Sequence, residues 1–323
     1  MRIGVLGTGR IARKVCLTLK AMEEIECYAV ASRTLEKAEA FRSELGFEKA
    51  YGSYEQMVED PLVELVYITS PHSHHYEHMM LCLRHGKPVI CEKSFTVNAE
   101  QAEIVREYSR KHGIFVAEAI WTRYMPSRQM ILNIFNSGVI GEVKALSANL
   151  FYSVADKERL REPSLAGGAL LDVGIYGINF ALMNFGSDIV KIDSSVQKTD
   201  LGVDANNFIT IHYADGRLAN ISSGMYCISD RQGVFYGTKG YVIVENINNP
   251  ESISVYDSEH ELVSKTVVPP QISGYEYEFR ECVNAIREGR TESWSMPLDE
   301  TVNVLRIMDG IRKDWGLKYP MEK

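Results

Sequence analysis

Short apolar runs alternate with helical patterns along the first part of the chain. Arg2–Leu6 reads as a buried strand, Ile11–Lys20 as a helix, Ile25–Ala31 as a second strand and Thr34–Leu45 as a second helix. Ser53 with Gln56 forms a capping box before a short helix that stops near Pro61. Val63–Thr69 is a third apolar strand, and Tyr76–Arg84 is a helix ended by Gly86. Val89–Cys91 reads as a strand, Asn98 with Gln101 caps a helix to about His112, and Phe115–Ala119 is a further strand. Regular alternation of this kind predicts a parallel, doubly wound sheet whose strand C-termini form one ligand-binding edge.

Past Pro126 the pattern changes. One helix, Ser127–Asn136, leads into longer alternating runs at Glu142–Tyr152, Val190–Lys198, Asn207–Tyr213, Leu218–Met225, Tyr241–Glu245 and Ser252–Tyr256. Asp215-Gly216 marks a hairpin turn between two of them. These predict a mostly antiparallel sheet with one open face for a helix or a second subunit. Two helical stretches, Tyr275–Glu288 and Leu298–Trp315, close the chain. The expected architecture is therefore α/β. It has an N-terminal Rossmann dinucleotide-binding domain over 1–122 and a C-terminal α/β domain, on an open and mostly antiparallel sheet, over 123–323.

Composition narrows the function. Of 323 residues, 45% are apolar and 24% charged, the profile of a globular protein with ample core. The net charge of -8 offers no basic face, which argues against nucleic acid as a partner. No signal-peptide core precedes the first Gly-rich turn, and no stretch of about 18 apolar residues runs uninterrupted, so neither export nor a membrane partner is expected. The six cysteines, Cys16, Cys27, Cys82, Cys91, Cys227 and Cys282, form no CxxC pair and fit buried thiols in a reducing cytoplasm.

Five segments carry candidate chemistry. Gly7-Thr8-Gly9-Arg10-Ile11-Ala12 follows the first strand and opens the first helix. Gly7 permits the turn, Gly9 permits close approach of a pyrophosphate to the helix N-terminus, and Ala12 permits close helix–sheet packing. At the end of the second strand, an NAD-selective site usually places an acid on the ribose 2′-hydroxyl. This chain has Ser32-Arg33 there, with Lys37 one turn on; all three can donate to a 2′-phosphate. NADP is thus expected, with NAD the lesser alternative. Thr69-Ser70-Pro71-His72 follows the third long strand and is expected to lie against the nicotinamide half. His72, His74 and His75 crowd together but lack partners at metal-ligand spacing, so no metal is expected. Glu92-Lys93-Ser94 ends the next strand; Lys93 there can donate a proton or hydrogen bond to a carbonyl oxygen, with Glu92 positioning it. Finally, Gly167-Gly168 precedes a helical pattern in which Asp172 and Tyr176 stand four apart on one face, a spacing that suits a proton relay.

Together with Glu118-Ala119-Ile120-Trp121-Thr122-Arg123-Tyr124-Met125-Pro126, these motifs resemble the glucose-fructose oxidoreductase, inositol dehydrogenase and rhizopine-catabolism (Gfo/Idh/MocA) family. Within it, the likeness is greatest to the dimeric dihydrodiol dehydrogenase and D-xylose 1-dehydrogenase (NADP) branch. The resemblance spans essentially the whole chain. It implies an NADP(H)-dependent oxidoreductase that moves a hydride between nicotinamide and the carbinol or carbonyl of a small sugar-like or trans-dihydrodiol substrate. It also implies a homodimer or homotetramer built through the C-terminal sheet. Lys93, Asp172 and Tyr176 become the catalytic and substrate-binding candidates, and Trp121 and Arg123 would lie beside the cofactor. The family usually carries Pro after the Glu-Lys pair, whereas Ser94 restores an N–H here and frees φ. Some relatives keep the fold as NADP-binding sensors or co-regulators without turnover; the joint presence of Lys93, Asp172 and Tyr176 weighs against that alternative.

Overall fold

The computed structural model of the chain describes residues 1–322. It contains two compact units. The first is Met1–Tyr124 with Gln271–Arg306, and the second is Met125–Pro270 with the residues from Ile307 onward. The chain thus returns to its first unit near the end, so the single boundary expected after residue 122 describes only the first crossing.

In the first unit β1 (Arg2–Leu6), α1 (Arg10–Leu19), β2 (Glu26–Ala31), α2 (Leu35–Leu45), β3 (Lys49–Tyr51), α3 (Tyr54–Glu59), β4 (Leu65–Ile68), α4 (His75–Arg84), β5 (Val89–Glu92), α5 (Ala99–His112) and β6 (Val116–Ala119) follow one another. The sheet order is β3-β2-β1-β4-β5-β6 and every pairing is parallel, the Rossmann arrangement with its strand-order reversal between β1 and β4. Both expected caps form: Gln56 N–H donates to Ser53 Oγ (3.3 Å) and Gln101 N–H to Asn98 Oδ1 (3.0 Å). The short strand β3 was not expected; its three half-buried residues carry too little pattern to announce it.

The second unit opens with α6 (Pro126–Ser137), β7 (Val143–Phe151) and the single turn α7 (Glu158–Arg161), then enters α8 (Ile175–Phe185) through a π turn at Leu170–Gly174. Strands β8 (Ile189–Lys198), β9 (Asp204–Tyr213), β10 (Leu218–Gly224), β11 (Gly233–Gly237), β12 (Gly240–Val244), β13 (Ser252–Asp257) and β14 (Leu262–Val267) follow. The eight-stranded order is β14-β13-β12-β11-β7-β10-β9-β8, antiparallel throughout except where β7 and β10 run parallel. The mostly antiparallel sheet is borne out, while β11 and β14 are additions: β11 is bounded by glycines, and β14 has no buried residue to give an alternation. Helix α9 (Glu276–Arg287) belongs to the first unit, and α10 (Leu298–Asp314) crosses from the first to the second.

The helical run Pro163–Phe185 is long and apolar enough to cross a membrane by length and composition, but 94% of its apolar window is buried inside the fold. Its reason is packing. Ile175 to Phe185 are buried except Asn184, and Gly177 lies so close to β10 that a Cβ there would stand 2.4 Å from Ile221 Cγ2.

The Gly167-Gly168 turn that starts this run is equally crowded. A Cβ on Gly167 would meet the Leu160 carbonyl oxygen at 2.6 Å, and one on Gly168 would meet Asp204 Oδ1 at 2.2 Å. Gly168 also sits at φ +116°, where side chains are strained. Gly168→Ala should therefore cost about 1–3 kcal/mol of unfolding free energy, the scale of one strained backbone position. Gly9→Ala, in extended backbone with open space around it, should stay within about 0.5 kcal/mol. Urea denaturation of both variants checks the pair; equal midpoints would refute the crowding argument.

Candidate active site

Loops at the C-terminal ends of β1, β4, β5 and β6 share one edge of the parallel sheet. After β1, Gly7 turns at φ +108°, with its N–H on the Ala31 carbonyl (3.0 Å); a Cβ there would meet Thr69 Oγ1 at 2.6 Å. Gly9 is the N-cap of α1, provides no side-chain cap, and has no heavy atom within 4 Å of where its Cβ would stand. No acidic residue lies in the first turn. A helix N-terminus with uncapped N–H groups, a positive dipole end and clear space fits a pyrophosphate. Thr8 and the exposed Arg10 flank it, with Ile11 half-buried behind.

At the end of β2, Ser32 is buried with its hydroxyl 3.4 Å from that of Thr8. Arg33 and Lys37 are exposed, and Thr34 caps α2 through the Lys37 N–H. No carboxylate stands at this strand end, so the donors fit a 2′-phosphate and repel nothing about it.

The β4 and β5 loops are fastened to each other by His75. Its Nδ1 lies 2.7 Å from the Ser94 carbonyl and its Nε2 2.7 Å from the Ser70 carbonyl. Burial pushes this imidazole down to about 4, so near neutrality the ring is uncharged and its single N–H can serve only one of the two carbonyls at a time. Thr69 is held by its own hydroxyl on the Leu6 carbonyl (2.9 Å), and His78 Nδ1 meets Ser70 Oγ at 2.8 Å. Pro71 leads into a 3₁₀ turn, His72–His74, in which His72 is buried with its ring centroid 5.7 Å from that of His75. Among the described residues no group of three His, Cys, Asp or Glu side chains is placed to hold a metal.

Lys93 is half-buried just beyond β5, and its peptide bond to the buried Ser94 is cis. Glu92 accepts a hydrogen bond from the Tyr67 hydroxyl rather than serving only its neighbour. From β6, the buried Glu118 carboxylate accepts the Phe95 N–H (3.2 Å), fixing the loop two residues past Lys93; burial lifts it to about 7. Trp121 and Arg123 form another 3₁₀ turn. Trp121 stacks on Tyr275 at 4.1 Å, and Lys14 of α1 lies 5.5 and 5.0 Å from the two ring centroids. Arg123 is 3% exposed and pairs with Glu300 at 3.2 Å. The returning segment 271–306 is therefore built onto the β6 end of this edge, a contribution that sequence order alone concealed.

In the second unit the Gly167-Gly168 turn delivers Asp172 and Tyr176. Leu170 N–H donates to Asp204 Oδ2 (2.6 Å), which also accepts from Asn207 (3.0 Å), and Asn207 in turn accepts from Ser223 (2.7 Å). Asp204 is fully buried and lifted by that burial to about 6. Tyr319 donates to the Gly167 carbonyl at 2.7 Å. Asp172 lies inside the π turn and Tyr176 just beyond it, so they are joined by a widened turn and not by regular α geometry. Asp172 is 6% and Tyr176 9% exposed. Arg159 of α7 grips Asp172 with two nitrogens, at 2.9 and 3.3 Å.

The sequence singles out the Gly-rich turn, Lys93, Asp172 and Tyr176, and does not single out Lys14, Glu118, Arg159, Asp204 and Tyr275, whose contacts appear only in the structure. His75 was read only within a histidine cluster. None of these has a local pattern that names its partner, although Glu118 stood inside a quoted motif.

Comparison with known proteins identifies the family. A sequence profile described as "Oxidoreductase family, NAD-binding Rossmann fold" matches residues 1–119, and one described as "GFO/IDH/MocA C-terminal domain" matches 129–243. The chain is 31% identical to mouse trans-1,2-dihydrobenzene-1,2-diol dehydrogenase, over 100% of this chain and 99% of that protein. It is 30% identical to the human enzyme of the same name, with the same coverage. Its fold is similar to a 3-ketoreductase of Actinomadura kijaniata solved with NADP and TDP-benzene (24% identity, 97% of both chains, TM-score 0.89). It is also similar to an aldose-aldose oxidoreductase of Caulobacter crescentus solved with glycerol (20% identity, 98% and 97%, TM-score 0.88). The chain belongs to the GFO/IDH/MocA oxidoreductase family.

Proposed function

We propose that the protein is an NADP(H)-dependent dehydrogenase that interconverts a carbinol and a carbonyl on a small sugar-like or diol substrate. The observation that carries this reading is the pairing of an uncapped Gly-rich helix N-terminus with Lys93 at the end of β5, on one strand edge. It occurs in a chain about 30% identical, along its length, to dihydrodiol dehydrogenases. Gly7, Gly9 and the first turn of α1 would hold the pyrophosphate, and Ser32, Arg33 and Lys37 the 2′-phosphate. Thr69 to His72, Glu92, Trp121 and Arg123 would border the nicotinamide half. Bound NADP supplies the hydride acceptor or donor. The protein supplies the proton path: Tyr176 takes the hydroxyl proton as the carbinol is oxidised, Lys93 hydrogen-bonds the same oxygen, and Asp172 accepts from a neighbouring hydroxyl. A phenol with an ordinary pKa near 10 needs such a cation to exchange protons near neutrality.

The sheet of the second unit supports a homo-oligomer. Phe208 and Tyr236 are 53% and 44% exposed on β9 and β11, beside the half-buried Ser147, Asn149 and Phe151 of β7. A sheet face with such residues on a mixed polar and aromatic surface suits an isologous contact with a second copy. Light scattering at micromolar concentration should report a dimer or tetramer; a monomer mass would refute this part.

Cofactor choice is testable separately. Arg33→Ala should lower kcat/KM with NADP by about 10–150-fold, the loss of one charge-assisted contact of about 1.5–3 kcal/mol, and leave NAD nearly unaffected. Equal use of the two cofactors by the unaltered enzyme would sink the assignment.

For the proton path, Tyr176→Phe keeps the ring and removes the hydroxyl. Stopped-flow and steady-state assays across pentoses, hexoses, inositols and trans-dihydrodiols should show kcat reduced by about 10²–10⁴-fold, with NADPH affinity preserved. Lys93→Met should also lower kcat, and the double variant should lose less than the product, because the two act on one oxygen. Near-normal turnover in both single variants would place the chemistry elsewhere.

A further inference from the structure

We infer that Arg159 is a positioning residue for the reaction: it holds the Asp172 carboxylate ionised and oriented toward substrate. The inference rests on the reading of Asp172 as a substrate-binding group. Three observations carry it. The first is the two-pronged contact, Nη1 to Oδ1 at 2.9 Å and Nη2 to Oδ2 at 3.3 Å, in which the planar guanidinium matches both carboxylate oxygens and so fixes the plane of the carboxylate. The second is the contrast in exposure: the Asp172 side chain is 9% exposed and that of Arg159 is 41%. A carboxylate so nearly buried stays ionised only with a compensating partner, and this partner reaches it from the half-exposed side.

The third is the way α7 is attached. Gly168 N–H donates to the Leu160 carbonyl (2.9 Å) and Gly167 N–H to the Glu162 carbonyl (3.1 Å), so the turn bearing Arg159 is stitched to the turn that delivers Asp172. The close approach at Gly167, where a Cβ would lie 2.6 Å from the Leu160 oxygen, leaves no room for α7 to drift. The glycine pair therefore does two things: it starts the helix, and it brings Arg159 within reach of the carboxylate thirteen residues on.

The other ionisable groups on the elements packed about Asp172 are few. Glu158 and Arg161 share α7, Tyr176 follows on α8, and Asp204 starts β9, where its carboxylate serves Leu170 N–H; His212 and Tyr213 lie at the far end of that strand. Lys144 lies near the far start of β7, and β10 carries none. Arg159 is a cation whose contact with Asp172 the geometry defines.

The experiment compares the full-length enzyme with Arg159→Met, Arg159→Lys and Asp172→Asn, measuring kcat and KM against pH together with NADPH affinity. Removing the guanidinium takes a cation away from a nearly buried carboxylate, which favours the protonated form. Arg159→Met should lower kcat/KM by about 10–100-fold at pH 7, a central charge-assisted contact of 1.4–2.8 kcal/mol. It should also move the acid limb of the profile to higher pH, with NADPH affinity unchanged. Arg159→Lys should restore the acid limb, because the charge returns, while recovering only part of kcat, because the fork is lost. A loss in Arg159→Met that is uniform across pH, or an acid limb that Arg159→Lys does not restore, would overturn the inference and leave Arg159 a packing group. If Arg159→Met does not fold, Arg159→Lys alone decides: an unaltered kcat and KM would show that the fork does no orienting. Normal turnover in Asp172→Asn would fail the underlying reading of Asp172, an outcome distinct from the failure of Arg159 alone.

Discussion

Within the second unit, the placing of Asp172 and Tyr176 depends on one hydrogen bond, from the Leu170 N–H to the buried Asp204 carboxylate. A helix that begins inside a protein leaves N–H donors without intrahelical partners, and burying them unsatisfied is costly. Asp204 comes from β9, a strand thirty-four residues later, so the helix start is set by tertiary structure and not by a local cap. The local alternatives are ruled out by space: any side chain at Gly168 would occupy the volume of Asp204 Oδ1. Once that end is pinned, the π turn follows, and Asp172 and Tyr176 are presented from a segment whose downstream half packs against β10 through Gly177. The order of dependence runs from a buried acid to a glycine pair, and from there to the reactive side chains.

The parallel sheet solves an equivalent difficulty by different means. Strand ends carry loops with carbonyls that have no neighbouring strand to accept from, and a cofactor edge cannot be covered by a further element. His75 bridges two of these loops through Ser70 and Ser94, while Glu118 takes the Phe95 N–H. Lys93 comes directly after β5 and directly before both fastenings, so its backbone is held while its side chain stays half-exposed.

How much of this was readable from sequence depends on the range of each interaction. The parallel strands, the Gly-rich turn and both Asx- or Ser-type caps are local, and periodicity or spacing within a few residues announces them. Asp172 and Tyr176 can be singled out because the glycines before them are unusual, although the π turn that joins them is not encoded in any four-residue pattern. By contrast, Arg159 pairs across thirteen positions, Asp204 caps across thirty-four, and Arg123 finds Glu300 across 177. No propensity marks such partners. The same holds for Tyr275 under Trp121: the chain must first leave for the second unit and return before the stack exists. β14 was missed for a different reason, since every one of its residues is exposed and an edge strand without a buried face carries no alternation.

The buried ionisable groups that hold these loops also shift in opposite senses, and that bears on how the site tolerates changes of pH. His75 is depressed to about 4, so the stability it contributes is present above its unfolded value near 6.5 and is lost as the pH falls through 4. Asp204 and Glu118 are raised, to about 6 and about 7, by the same desolvation acting on an acid. For a raised acid the sign reverses: its stabilising contribution is complete below the unfolded value near 4 and is lost as the pH rises through the folded one. Acidification from neutrality toward pH 4 therefore removes folding stability at His75 and adds it at Asp204 and Glu118. A framework built from one kind of buried group would drift steadily across that window; here the contributions of His75 and of the two acids oppose each other within it.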